Sequence, residues 1–156
     1  MTPEQAQRAE LGARILVAHF SGDQGALEGT LKGVLGSLMT LADGLTLVAI
    51  SAGGLVGEMA QVNLDVALRR LGDSEIRLLP AGDTDRRAAI DLAMAMAEDR
   101  APTEPAPADL ATMVNSAYGL AVDSVAAAAQ GAETTPVRVA RAIADTAHTG
   151  LAAGDL

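Results

Sequence analysis

Between Leu27 and Met59 the apolar positions run Leu27, Leu31, Val34, Leu38, Leu41, Leu45, Val48, Ala52, Leu55 and Met59, in steps that alternate four and three. This spacing puts all of them on one stripe of an α-helix, and strands, whose side chains alternate with a period of two, do not produce it. Charged flanking positions are nearly absent, so one or two buried bundle helices are expected rather than a solvated coiled coil. Ahead of this run Thr2, Pro3 and Gln5 carry a helix start: a capping threonine, a proline at the first helical position and a glutamine that completes a capping box. Ala13, Leu16 and Phe20 mark one face of that first helix, and Ser21-Gly22-Asp23 ends it.

Further along, Asn63 caps LDVALRRL, whose Leu64, Leu68 and Leu71 share a face and which Gly72 terminates. EIRLLPAG reads as a short strand or as an extended connector. Asp83 or Thr84 then opens a helix that runs through Arg100, with Ala89, Ala93 and Met96 on one side and Ile90, Met94 and Ala97 beside them. The stretch APTEPAPA, Ala101 to Ala108, holds three of the six prolines and must be extended. Beyond it, a helix from Asp109 to Gln130 stopped by Gly131, and another opened by Thr135-Pro136 and ended near Gly150, are joined by a short loop and so form an antiparallel hairpin. The pattern predicts an all-α bundle of about six helices: a helical core over 1–100, a Pro-rich linker over 101–108 and an Ala-rich helical hairpin over 109–156, packed on the core as one domain.

One dipeptide competes with this picture. Asp43-Gly44 lies between two apolar runs, the signal of a β-hairpin. With the SAGG turn, the helix to Arg70 and EIRLLP, it gives an α/β alternative in the order strand, strand, helix, strand. The segment GSLMTLADGLTLVAIS, residues 36–51, resembles the strand-DG-strand piece of Roadblock domains. That resemblance implies a hairpin and carries no function with it.

Composition narrows the core and the partners. Phe20 and Tyr118 are the only aromatics and there is no Trp, so an apolar content of 49% is made of Leu, Ala, Val, Ile and Met, and the helices must lie close together. A net charge of -9, from 11 basic and 20 acidic residues, leaves no basic face for nucleic acid. Arg69-Arg70 and Arg86-Arg87 read as solvated surface. The absence of cysteine excludes disulfides, thiolate zinc sites and cysteine nucleophiles. MTPEQAQRAE lacks the basic-then-apolar pattern of a signal segment, and a cytoplasmic location is expected. From Gly33 to Gly57 the only charge is Asp43, and the uncharged run Gly44 to Gly57 is 14 residues long. A spanning helix needs about 20, and Asp43 inside it would cost about 2.5 to 3.5 kcal/mol, so a membrane span is not expected.

Three constellations suggest chemistry. LVAISAGGLVG around Ser51 resembles the nucleophile elbow of α/β-hydrolases, with Ala49 in place of the first glycine, and the chain order Ser51, Asp123 or Asp145, His148 fits that family. Asp145 and His148 share a helix face and offer two metal ligands, fewer than zinc takes. Asp83 and Asp85 in GDTD offer oxygen ligands to magnesium, but acids at a helix start are what the dipole favours anyway. GTLKG resembles the core of histidine phosphotransfer domains, with Gly29 where the phosphorylated histidine would stand. His19 reads as a C-terminal helix cation or a partly buried polar group, and Tyr118 as a phenol with nothing near to activate it.

The least ordinary feature is GALEGTLKGVLG, where Leu27, Leu31, Val34 and Leu35 form one helix face and Gly25, Gly29, Gly33 and Gly36 the opposite one. Four helical glycines cost roughly 4 kcal/mol relative to alanine, so a packed glycine face is expected, with Gly53, Gly54 and Gly57 as a matching surface. The function that follows is a non-catalytic helical interaction or oligomerisation module, using Gly25, Gly29, Gly33, Gly36, Gly53 and Gly57 to meet a second copy or a protein partner, with no cofactor and no metal. The alternatives are a small serine hydrolase using Ser51 and His148, and a small-ligand binder whose cavity is lined by Met39, Met59, Met94 and Met96.

Overall fold

The computed structural model describes residues 2–34, 36–72, 74–82, 85–105, 107 and 109–153, without the side chains of 150–153. Among them are seven helices and no strand: α1 (Pro3–Ser21), α2 (Gln24–Val34), α3 (Leu38–Ala60), α4 (Leu64–Arg69), α5 (Arg86–Glu98), α6 (Leu110–Gly131) and α7 (Pro136–Ala153). The local start signals work as expected. Thr2 and Gln5 close a reciprocal capping box, Asn63 accepts from the Val66 amide and Asp109 from the Thr112 amide. Gly22 ends α1 in the left-handed region at φ 70°. α5 is shorter than expected at both ends: Asp85 caps it through the Ala88 amide, while Asp83 and Thr84 lie outside the described residues, as does Leu35.

α3 is the centre of the bundle, with α1, α4, α5 and α6 packed around it. Its stripe Leu41, Leu45, Val48 and Ala52 is fully buried, against Leu16 of α1, Val114, Tyr118 and Val125 of α6, and Leu68 of α4. The hairpin alternative at Asp43-Gly44 is overturned, since residues 38–60 form one uninterrupted helix. The dipeptide marks a helix crossing instead of a turn. A Cβ on Gly12 would lie 2.6 Å from the Gly44 carbonyl oxygen, and one on Gly44 would overlap the Arg8 carbonyl oxygen, so α1 and α3 touch backbone to backbone. Asp43 pairs beside this contact with Arg8 at 2.5 Å. Burial pushes the Asp43 carboxyl above its ordinary range, against the pull of Arg8.

α6 lies mainly along α3 and α7 mainly along α1, so the last two helices have different principal partners. α7 closes a smaller apolar cluster in which Ala147 meets Ala9 and Leu47. By length and composition α3 is the one helix among the described residues apolar enough to cross a membrane, and 56% of its most apolar window is buried in the bundle.

The segments without regular structure are held by side chains. EIRLLP is a connector: Asn115, buried on α6, accepts from the Leu78 and Leu79 amides at 2.8 and 2.7 Å and donates to the Leu79 carbonyl at 2.6 Å. One turn on, Gly119 lies beside the Ser74 carbonyl, and Asp123 accepts from the Ser74 amide and from Arg86. Arg86 is thus a half-buried partner of α6, not the solvated residue expected from its doublet. The Pro-rich segment is pinned likewise. The buried Asp91 carboxylate accepts from the Glu104 amide and from the Thr103 amide and hydroxyl, at 2.7 to 2.8 Å. The Glu104 amide and the Thr103 hydroxyl hold its carboxyl below the ordinary range.

Candidate functional site

A broad concavity arises from the way α7 is attached. Because α7 rests on α1, it runs beside α3 without filling the space between them, and Ala9 of α1 forms part of the floor. The resulting groove has a volume of about 610 Å³. Small side chains keep it open: Ala9, Ser51, Ala142 and Ala147. Its walls are Leu55 of α3 and Val139 and Ile143 of α7, and Leu55 is 44% exposed. Thr134, Arg138 and Thr146 add polar groups. The Ser51 and Thr146 hydroxyls are already engaged, donating to the Leu47 and Ala142 carbonyls of their own helices at 3.1 and 2.8 Å. Among the described residues Arg138 is the only charged one in the lining, and its guanidinium makes no ion pair with a described carboxylate.

The nucleophile elbow of the hydrolase reading is not formed. Ser51 stands inside α3, so the strand and sharp turn of a nucleophile elbow are absent at this position. His148 lies against Glu10 of α1, 3.3 Å from Nδ1 to Oε1, and Asp123 belongs to the connector described above. Among the described residues no group of three or more His, Asp or Glu side chains is placed to hold a metal ion. The four methionines do not share a cavity. Met94 packs on the main core, Met96 on the smaller cluster, and Met39 and Met59 are 47% and 45% exposed.

His19 and Tyr118, 99 positions apart, meet through Nδ1 and the phenol oxygen, a contact the sequence order hides. Burial pushes the phenol far above its ordinary pKa and holds the imidazole below its own. With both groups neutral the phenol donates and Nδ1 accepts, which leaves the ring proton on Nε2. Histidine adjacency was missed by sequence reasoning, but burial of Tyr118 keeps the phenol protonated. The pair is a polar clasp between α1 and α6.

The glycine residues divide. Gly53 is covered by Leu64 and Leu68 of α4, and Gly57 by the Val62 carbonyl oxygen, so both pack within the chain and are not a matching surface for α2. A Cβ at Gly29, Gly33 or Gly36 would meet nothing within 4 Å, and one at Gly25 only the Asp23 carboxylate at 3.7 Å. Among the described residues no helix of this chain covers that face, so of the two partners expected for it, a helix of the same chain or a second copy, the first is not found. Gly29→Ala is therefore expected to stabilise the protein by about 0.4 to 1 kcal/mol, through reduced backbone entropy of the unfolded chain, and Gly29→Leu to be tolerated. Urea midpoints of the two variants check this; both falling below the parent would mean that a second copy covers the face in solution.

Comparison of the chain with protein-family models, with curated proteins and with solved structures found no match.

Proposed function

We propose that this all-α chain is a non-catalytic binding module and that the groove between α3 and α7 receives an apolar guest. The observation that carries the reading is the groove itself. Its volume, about 610 Å³, lies within the roughly 300 to 1,000 Å³ of small-molecule sites, and its walls are apolar with few polar groups. This reading takes up the small-ligand alternative in place of the interaction module expected from the sequence, and moves its site from the methionines to the groove beside α7. The outer face of α2 carries exposed Glu28 and Lys32 among the glycines and no large apolar side chain, so covering it would remove little apolar area from water.

Ala142 is exposed and lines the groove, so Ala142→Phe fills the site without entering the core. Nile red, a neutral apolar dye, is expected to brighten with the parent protein and not with Ala142→Phe, while both keep the same helical circular dichroism and urea midpoint. Equal dye emission from the two proteins, or none from the parent, overturns the reading.

A further inference from the structure

Resting on that reading of the groove, we infer that its guest is an amphiphile with an anionic head, a long-chain carboxylate, seated with the carboxylate on Arg138 and the alkyl chain between α3 and α7. The shape supports an elongated guest. Lining residues on α7 recur from Arg138 to Ala147, a rise of about 14 Å at 1.5 Å per residue, with alanines along the floor and Leu55 opposite.

Charge supports the head group and its position. Arg138 stands in the first turn of α7, where the helix dipole is positive, and among the described residues no carboxylate lines the groove to neutralise it. A guanidinium binds a carboxylate through two parallel N–H···O bonds, which a hydroxyl or an ammonium head cannot reproduce. Beside it, the half-buried Thr134 is a second polar residue at the same end. At the other end Ser51 and Thr146 have their hydroxyl protons committed to helix carbonyls, so that end has no free donor for an anion. The groove is thus charged at one end and apolar along its length. The whole chain carries a net charge of -9, so its overall field does not collect anions, and retention of one depends on the local cation.

The test titrates the intact chain with laurate, lauryl alcohol and laurylamine by isothermal calorimetry, below their aggregation concentrations, with Arg138→Gln and Ala142→Phe as variants. Laurate is expected to bind the parent roughly fivefold or more tightly than the alcohol, a difference set by one partly exposed charge-assisted contact. Arg138→Gln is expected to erase that difference while leaving alcohol binding unchanged, and Ala142→Phe to abolish binding of both. Equal binding of laurate and alcohol to the parent, or tighter binding of laurylamine, overturns the head-group inference and leaves the groove reading standing. Absence of binding by all three overturns both. In that case light scattering names the occupant: a dimer that Ala142→Phe dissociates would assign the groove to a second copy of the chain.

Discussion

Gly44→Ala is expected to destabilise the protein by about 2 kcal/mol or more, although alanine is the better helix former by about 1 kcal/mol. The reason is the neighbour. The added methyl would overlap the Arg8 carbonyl oxygen, and Gly12 lies against the same crossing. Backbone cannot rotate aside as a side-chain tip can, so α1 and α3 must separate, loosening the layer that holds Leu16, Leu41 and Leu45. Overpacking of this kind costs about 1 to 3 kcal/mol and sometimes more. Gly12→Ala meets the same contact from the other side, and the double variant is expected to cost less than the sum, since one separation of the helices accommodates both methyls. Urea midpoints of the three proteins check this, with Gly29→Ala as a reference in which the same substitution has the opposite sign. A Gly44→Ala protein as stable as the parent would mean that the two helices do not cross at backbone contact.

Asn115→Leu is expected to cost about 2 to 4 kcal/mol. Leucine matches the shape of asparagine but strands three groups at once: the Leu78 and Leu79 amides and the Leu79 carbonyl. Each hydrogen bond contributes about 1 kcal/mol, and a buried group left without a partner costs about 1 to 3 kcal/mol. Leu78 and Leu79 are half-buried, so part of the penalty is relieved by the connector lifting into water. Hydrogen exchange separates this from general destabilisation: the amides of residues 78 and 79 are expected to lose protection in the variant before those of α3 and α6 do. Retained protection at both amides would show that other groups hold the connector.

The two variants probe different layers of information. Helix positions were legible because their signals are local. Thr2, Asn63 and Asp109 each accept from an amide three residues on, and the four-three spacing of Leu38 to Met59 needs only the helix's own period to be read. Asp43-Gly44 misled for the same reason: as a dipeptide it is a turn signal, and only the presence of α1 across it explains why a charge and a glycine stand in the most apolar helix. The α2 glycines mark the limit from the other side: a regular stripe looks like a contact face, and among the described residues no helix of the chain lies on it. A clue to the connector was present in α6, where Asn115 and Asp123 interrupt an Ala- and Val-rich run two turns apart with Gly119 between them.

By itself the sequence determined the all-helical class, the helix starts, the buried stripe of α3 and a core built mainly of Leu, Ala, Val and Ile, because caps and periodicity act within about one turn of chain. Only the tertiary structure decided which glycines carry a helix crossing, that Asn115 and Asp91 hold the two irregular segments, that His19 meets Tyr118 and His148 meets Glu10, and that α7 leaves a groove beside α3. Each of these depends on groups brought together across 12 to 138 positions, and the spacing of residues along a chain carries no record of which distant helix will lie alongside.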